Sequence, residues 1–286
     1  MEEKNERGET LKEFLARYDE TKYRRPSNTV DMILLTVLKG KLKVLLVKRK
    51  DHPFIHDWAM PGGFVNFDED LDTAMKRELE EETNLFDSTY FRQLYTFGNA
   101  DRDPRTRVIT TVYLSMTPAE NIKMTSAGDD AMDTGWFTIQ KITKTSDGYE
   151  RKSVLMLDEE EKGIHLRYEI YDTACDNYVQ TRSKLLESSN AKLAADHIKA
   201  INMAIDVVRN RAASTGIMFN LLPKECTLRE IQEVYEAIVN HPVDTGNFRR
   251  DIKKMLVATG NTTIVNGRKV ATYSFNPLLP FVKETL

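Results

Sequence analysis

The pattern of hydrophobic and polar residues is clearest between residues 71 and 83, where it predicts an amphipathic helix. The segment contains no proline or glycine, and most of its residues favour helix. Gly62 and Gly63 precede it, break any regular element and let backbone come close to a neighbouring group. One apolar stripe at helical spacing consists of Leu71, Ala74, Met75 and Leu79. The pattern therefore predicts a helix shortly after a glycine loop.

Strand patterns lie on both sides of this helix. Runs rich in β-branched and aliphatic residues at 29–38 and 42–47 flank Lys39, Gly40 and Lys41, which predicts a hairpin. Further strands are predicted at 90–97, 108–116 and 135–139, and a second hairpin joins 152–157 to 164–171. Amphipathic helices are predicted at 9–18 and 191–212, and the longer one closes the first domain. Strands that flank a helix of this kind indicate an α/β sandwich.

Residues after 216 carry a separate pattern. Thr227 and Glu230 form a capping-box sequence that opens a helix reaching about residue 238. A second helix is predicted at 244–256, and Asn266 followed by Gly267 predicts a hairpin between 262–265 and 269–275. Helix, turn, basic helix and basic-tipped hairpin are the order of a winged helix-turn-helix. The alternative is a small domain whose basic face is only solvated.

Composition bounds the class of protein. The chain has 286 residues, 41 % hydrophobic and 30 % charged, with a net charge of −3. We expect a cytoplasmic protein without a membrane partner, since no apolar run reaches spanning length and Met1 to Glu6 do not form a signal peptide. The two cysteines, Cys175 and Cys226, and the five histidines indicate neither a disulfide framework nor a zinc cluster. Residues 221–286 hold nine Lys and Arg against seven Asp and Glu, so this end favours an anionic partner.

Three carboxylates share one face of the helix predicted between residues 71 and 83. Glu78, Glu81 and Glu82 stand at i, i+3 and i+4, so they repel one another unless a cation neutralises them. A hard divalent ion such as Mg²⁺ prefers such oxygen ligands, and Arg77 can hold one carboxylate in place. A solvated acidic face is the common alternative for a run of glutamates. The glycine pair and the spaced Glu69 favour the metal site.

This stretch resembles the Nudix box, a glycine loop and helix with a fixed order of acidic residues. The matching positions are Gly63, Glu69, Arg77, Glu78, Leu79, Glu81, Glu82 and Leu85. Asn84 departs from the pattern, because the family has glycine there to end the helix. Asparagine is the next most tolerant residue for a left-handed backbone, and no ligand position is affected.

The chain as a whole resembles the NrtR-type regulators, which are Nudix-related transcriptional regulators of NAD metabolism, and its first part is also similar to ADP-ribose pyrophosphatases. The runs at 58–64, 102–105 and 247–250 also fit these groups. The resemblance implies a Nudix α/β/α sandwich with a C-terminal winged helix-turn-helix domain. It divides the chain into an N-terminal helix and connector (1–28), a Nudix domain (29–213) with a hairpin insertion around 150–172, and the winged helix (217–286). It further implies a homodimeric repressor of double-stranded operator DNA that senses ADP-ribose or a related nucleotide.

The resemblance also implies roles for particular residues. Mg²⁺ or Mn²⁺ is held by Glu78 and Glu82, with Glu81 and Gly63 beside them, and Arg77 supports catalysis. Glu81, Glu82 or a loop carboxylate is the general base. The expected ligand-binding residues are Arg49, Trp58, Phe64, Arg102 and Arg105, although Trp58 and Phe64 also fit a core position. The expected DNA-binding residues are Asn247, Arg249, Arg250, Lys253, Lys254, Arg268 and Lys269.

Two functions follow from these patterns. The first is a repressor that recognises ADP-ribose and keeps Mg²⁺-dependent ADP-ribose pyrophosphatase activity. The alternative is a hydrolase of ADP-ribose or another nucleoside diphosphate derivative whose C-terminal domain serves dimerisation. The basic C-terminal face favours the first function, and the complete set of box carboxylates favours the second.

Overall fold

The computed structural model describes residues 2–83, 90–122, 131–176, 178–276 and 278. Its helices are α1 (Leu11–Arg17), α2 (Leu71–Thr83), α3 (His197–Ala212), α4 (Leu228–Val239) and α5 (Thr245–Ile252). Its strands are β1 (Ser27–Leu38), β2 (Lys41–Arg49), β3 (Trp58–Ala59), β4 (Gly62–Phe64), β5 (Tyr90–Phe97), β6 (Val108–Met116), β7 (Ala131–Ser146), β8 (Glu150–Glu159), β9 (Ile164–Cys175), β10 (Tyr178–Leu185), β11 (Leu256–Val265) and β12 (Arg268–Phe275). Asn84 and Leu85, at the end of the box, lie outside the described residues.

Ten strands of the described chain form one mixed sheet. Its order is β10-β9-β8-β7-β2-β1-β6-β5, with the short strands β3 and β4 attached to β2 and β1. β1 pairs with β6 in parallel and with β2 and β4 in antiparallel orientation. β4 therefore lies against the central strand, which places the glycine loop at the middle of the sheet. The predicted hairpins β1–β2 and β8–β9 are confirmed.

Both faces of β1 are buried. Met32 and Leu34 pack in one cluster with Met75 of α2, while Ile33 and Leu35 belong to the cluster on the opposite face, which contains α3. Successive side chains of a strand point to opposite faces, so an unbroken apolar run needs cover on both sides. α2 and α3 provide that cover, and the α/β/α arrangement expected from the sequence is confirmed.

The helix predicted at 191–212 begins later than expected. α3 starts at His197, because the preceding residues run along β3 instead. The backbone N–H of Trp58 donates to the carbonyl of Lys192 at 3.0 Å, and that of Ala194 donates to Trp58 at 2.8 Å. Ala195 has a φ of 44°, a left-handed conformation that a right-handed helix cannot include. The strand pairing therefore fixes where α3 begins.

The C-terminal part has the predicted winged-helix order, with one difference in the second helix. α4 begins at the predicted capping box of Thr227 and Glu230, and β11 and β12 form the predicted hairpin. The second helix was expected to reach residue 256, but α5 ends at Ile252 and a 3₁₀ turn, Lys253–Met255, follows. Leu256 already pairs with Phe275 of β12, so the chain must become extended there.

The hydrophobic core continues from the sheet into the winged helix. One cluster joins Leu35 of β1 and Ile201 and Val208 of α3 with Ile231 and Ile238 of α4. The segment 213–216, expected to separate the domains, thus lies next to a packed interior rather than between two isolated cores. α3 is the element that the two parts share.

The N-terminal helix forms but covers nothing in the described chain. Thr10 and Glu13 cap α1 with a complete capping box. Its apolar side chains Leu11 and Leu15 nevertheless remain 68 % and 59 % exposed. Among the described residues, no helix has both the length and the apolar character needed to cross a bilayer.

Candidate functional site

Gly62 and Gly63 allow two close approaches at the start of the box. A Cβ on Gly62 would lie 2.2 Å from the carbonyl oxygen of Val30, and its φ of 151° is unfavourable for other residues. A Cβ on Gly63 would lie 2.2 Å from Oε1 of Glu78. The loop therefore packs directly on β1 and on the first glutamate of the helix face. The backbone of β1 requires glycine at position 62, and a side chain at position 63 would displace the carboxylate of Glu78.

Arg77 holds the acidic residues of the box in place. Its guanidinium donates two hydrogen bonds to Glu69, at 2.6 and 3.1 Å. It also donates to Glu78 at 2.7 Å, to Glu81 at 3.2 Å and to the carbonyl of Phe64 at 3.0 Å. We call Arg77, Glu69, Glu78 and Glu81 the Arg77 cluster. Since one cation faces three carboxylates, the cluster retains an excess of negative charge.

Burial and pairing shift the pKa values in this cluster in opposite directions. The hydrogen bonds from Arg77 lower the pKa of Glu69 to about 2, so this carboxylate is ionised at neutral pH. Burial raises the pKa of Glu78, and this effect exceeds the lowering by Arg77. Glu78 is only 8 % exposed. A second cation beside Glu78 would therefore relieve a real electrostatic cost.

The donor groups at this site fit a hard divalent ion. Glu78, Glu81 and Glu82 line one cleft together with Gly62 and Gly63, and Oε1 of Glu82 accepts from the N–H of Gly62 at 3.5 Å. Carboxylate and carbonyl oxygens suit Mg²⁺ or Mn²⁺ rather than a softer metal. Within the described ranges, no three metal-binding side chains already converge on one point. The box residues thus supply suitable donors, of which Glu78 and Glu81 are bound to Arg77 in this conformation.

The cleft extends from the box to the N-terminus of α3 and has a volume of about 580 Å³. This lies in the range of pockets that hold small molecules and cofactors. Arg49, Phe64, Arg102 and Arg105 all line it, as their expected role requires. Phe64 is 46 % exposed, and the guanidinium of Arg105 lies 5.5 Å from its ring centre. The rim of the cleft therefore offers an aromatic face and a cation side by side.

The arginines that line the cleft form hydrogen bonds with protein groups. Arg49 donates to the carbonyl of Pro53 at 2.8 Å, and Arg105 makes two bonds to Asp103. Arg102 is buried and bonds Asp196 at 3.0 Å, with Asp31 at 3.9 Å. Asp31 in turn accepts from the hydroxyl of Thr110 at 2.6 Å. We call Asp31, Arg102, Thr110 and Asp196 the floor cluster.

The expectation that Trp58 contacts the ligand is wrong in this structure. Trp58 is 1 % exposed and packs edge-on against Phe137, with ring centres 4.8 Å apart. A side chain enclosed in the core has no free face for a base to stack on. Trp58 instead fixes β3, which pairs with β2 and with the segment before α3.

Sequence reasoning missed Asp31 and His197, which line the cleft, and Asp196, which bonds Arg102. Asp31 lies within an otherwise apolar strand, and a lone carboxylate in such a run is a usable signal. His197 accepts a hydrogen bond on Nδ1 from the N–H of Met60 at 2.9 Å, and burial lowers its pKa. A neutral ring with Nδ1 as acceptor carries its hydrogen on Nε2. No local pattern in the sequence marks this role.

The predicted DNA-binding residues form an exposed surface. Asn247, Arg249 and Arg250 lie on the solvent side of α5, whose buried side is Phe248 and Ile252. The other four are also exposed, but they lie off the helix. They are Lys253 and Lys254 in the 3₁₀ turn and Arg268 and Lys269 at the hairpin. The basic surface thus spans helix, turn and wing.

Comparison with known proteins agrees with this geometry. The NUDIX domain family matches residues 26–157. An ADP-ribose pyrophosphatase from Methanocaldococcus jannaschii is 34 % identical over 143 residues, which cover 49 % of this chain and 80 % of that protein. The chain belongs to the Nudix family. The resemblance inferred from the box is therefore confirmed.

The C-terminal part of this Nudix protein matches the NrtR DNA-binding winged helix domain over residues 218–275. The ADPR-responsive transcriptional repressor NtrR of Acinetobacter baylyi is 28 % identical over 266 residues, 92 % of this chain and 87 % of that protein. A MutT/nudix family protein from Enterococcus faecalis superposes with a TM-score of 0.69 at 29 % identity, covering 95 % of both chains. Shewanella oneidensis NrtR, solved with a 27mer DNA, superposes with a TM-score of 0.58 at 26 % identity, covering 87 % of this chain and 93 % of that one. The order of its two domains is thus similar to that of the NrtR-type proteins.

The floor cluster should stabilise this Nudix protein more than the ion pair between Arg105 and Asp103 on the rim of the cleft. Arg102→Met leaves two partly buried carboxylates, each 13 % exposed on its side chain, without their cation, so we expect the free energy of unfolding to fall by about 2 kcal/mol. Arg105→Met is the control, because Arg105 is 46 % exposed on its side chain and should cost under about 1 kcal/mol. Urea unfolding measures both. Equal losses would show that the floor cluster carries no buried-charge energy.

Proposed function

We propose that this protein is a transcriptional repressor that responds to ADP-ribose and also hydrolyses it. The observation that carries the proposal is the joining of two surfaces in one chain. The cleft that holds the Nudix carboxylates is lined by His197, the first residue of α3. The winged helix, with its exposed basic surface, packs on the same helix. The similarity to the Acinetobacter baylyi repressor over 92 % of the chain supports the same combination. The protein acts in the cytoplasm as a homodimer, because winged helix-turn-helix proteins read paired half-sites.

The cleft residues have complementary parts in ligand binding. Arg49, Arg102 and Arg105 line the same cleft as the acidic box, so an anionic ligand bound there can meet guanidinium groups as well as carboxylates. Phe64 offers an exposed ring to the adenine base. The buried His197 offers Nε2–H as a neutral donor. A nucleoside diphosphate sugar matches this mixture of charge and aromatic surface.

Hydrolysis of ADP-ribose requires water to attack the pyrophosphate and yields AMP and ribose 5-phosphate. A divalent ion held by Glu78, Glu81 and Glu82 would supply charge neutralisation and a more acidic water. Arg77 keeps Glu78 oriented towards Gly63 and holds Glu69 ionised. A carboxylate takes the proton of the attacking water, and Glu81, which is 57 % exposed on its side chain, is accessible for this step. Glu82 and loop carboxylates remain alternatives.

The first test of the proposal is product formation. With Mg²⁺ or Mn²⁺ the protein should release AMP and ribose 5-phosphate, and Glu82→Gln should lower kcat by at least about 100-fold. Glu80→Gln is the matched control, since Glu80 lies on the same helix, is exposed and falls outside the box pattern. Chromatography of the nucleotides measures both. If the parent protein forms no product at any metal concentration, it is a sensor without turnover.

The second test concerns the effector. In the Glu82→Gln background, ADP-ribose should raise the Kd for DNA from the protein's own gene neighbourhood by about tenfold, a typical coupling energy. Fluorescence anisotropy measures the Kd, and AMP with ribose 5-phosphate serves as the control ligand pair. A ligand shifts an equilibrium only if it binds the two states differently. Equal DNA affinity with and without saturating ADP-ribose would remove the sensor function and leave the hydrolase.

The third test divides the basic surface into parts. Arg268→Ala with Lys269→Ala should weaken binding to all DNA and lower the salt slope by about 2, because wing contacts fall on phosphates. Arg250→Ala should cost about 1–3 kcal/mol mainly on specific DNA, as loss of a base contact does. The control removes two charges from β10 by Arg182→Ala with Lys184→Ala. If control and wing variants behave alike, net charge and not the winged helix explains the binding.

A further inference from the structure

α3 begins in the cleft. Asp196 directly precedes the helix and bonds Arg102 of the floor cluster. His197, its first residue, lines the cleft and accepts from Met60, which lies two residues before Gly62. A ligand in the cleft therefore adjoins the N-terminal end of α3. Any change in the floor cluster acts on this end first.

The other end of α3 is bonded to the winged helix. Arg209 donates from Nε to the carbonyl of Ile238 in the last turn of α4, at 2.9 Å. It donates from Nη1 to the carbonyl of Lys141 in β7, at 3.2 Å. A cation at a helix C-terminus is favourable, because the last carbonyls lack partners within the helix. Arg209 thus ties α4 to the sheet through α3.

Between its ends, α3 is packed along its length. Ile198, Ile201, Ile205 and Val208 are 0–5 % exposed and share one core cluster with α4. His197 and Arg209 are twelve residues apart, about 18 Å along the axis. Close-packed interiors switch between discrete arrangements more readily than they deform gradually. A shift at the cleft end is therefore carried to Arg209.

α4 in turn positions the DNA-binding helix. The rings of Tyr235 in α4 and Phe248 in α5 lie 5.2 Å apart. The side chain of Gln232 donates to Thr245 at 3.1 Å. Glu236 accepts from the backbone of Val243 at 3.0 Å. Movement of α4 would therefore reorient α5.

The structure leaves space for such a movement. A groove of about 310 Å³ separates the C-terminal end of α4 from the start of β2 and the middle of β7. Lys41 and Gln140 line one side, and Glu236 and His241 line the other. α4 is packed against β2 as well as against α3, and the groove beside these contacts leaves room for a small shift of its C-terminal end.

We propose that α3 couples the cleft to the winged helix, with the bond between Arg102 and Asp196 at one end and Arg209 as the coupling contact at the other. This assignment deepens the proposed function and rests on it for its role in regulation. Arg209 contributes here as a positioning residue and has no part in hydrolysis. The coupling itself is a property of the ligand-free chain and can be measured without an effector.

A double-mutant cycle tests the coupling by hydrogen exchange of the full chain. Arg102→Lys, which loses the forked contact with Asp196, should speed exchange of α4 amides by about threefold. In an Arg209→Lys background, which removes one of the two carbonyl bonds, the same change should add nothing. The matched controls are Arg105→Lys on the cleft rim and Arg167→Lys, a partly buried arginine of β9 bonded to Asp158 and Leu166. Changes confined to the cleft, or strictly additive changes in α4, would overturn the proposal.

A substitute variant and a measurement with ADP-ribose complete the test. If Arg209→Lys lowers the cooperative unfolding transition, Arg209→Gln replaces it, since a neutral donor avoids the cost of burying charge. With ADP-ribose present, Arg209→Lys should shrink the ligand effect on DNA affinity towards 1 while hydrolysis stays unchanged. If ADP-ribose leaves DNA binding of the parent unchanged, the proposed function fails, and the ligand-free cycle still decides the role of α3.

Discussion

The central strand β1 must be covered on both faces, and the rest of the structure follows from this constraint. A continuous apolar run such as Met32 to Leu35 cannot leave either face in water. α2 takes one face and brings the acidic box to the glycine loop. α3 takes the other face and reaches the winged helix. The helix that carries the acidic box and the helix that reaches the winged helix are thus two consequences of burying one strand.

Charge is arranged in the cleft as two separate systems. In the Arg77 cluster one guanidinium meets three carboxylates, which leaves a deficit of positive charge. In the floor cluster one buried guanidinium meets two carboxylates, with a hydroxyl completing the set. In the first system only Glu81 is well exposed, at 57 % of its side chain. In the second, both carboxylates lie within 4 Å of Arg102. Residues of both systems line the same cleft, and in each system the carboxylates outnumber the guanidinium.

The sequence predicted those elements whose pattern is local. α2, the three hairpins and the capping box of α4 follow from spacing, glycine positions and turn residues close together in the chain. The start of α3 did not follow, because Ala195 adopts a left-handed conformation imposed by the pairing of Trp58 with the segment before the helix. Strand β10 was missed for a similar reason, since its polar residues become a strand only by pairing with β9.

The same division applies to the site. The box residues were identified because they lie close together in one short stretch of the sequence. Burial of Trp58, pairing of Arg102 with Asp196 and the hydrogen bond on His197 involve residues up to 137 positions apart. Composition and spacing contain no information on such contacts. The hairpin that carries Arg268 and Lys269 was predicted, but Lys253 and Lys254 lie after the helix and not on it.

The contact between Gly63 and Glu78 has an evolutionary consequence. A side chain at position 63 can be accommodated only if the carboxylate at position 78 is shortened or turned away. The constraint therefore runs in one direction. A smaller residue at position 78 leaves Gly63 undisturbed, whereas a side chain at position 63 requires a change at position 78. Related sequences with a side chain at position 63 should therefore also have a shortened or displaced residue 78, while those that keep Gly63 can hold either.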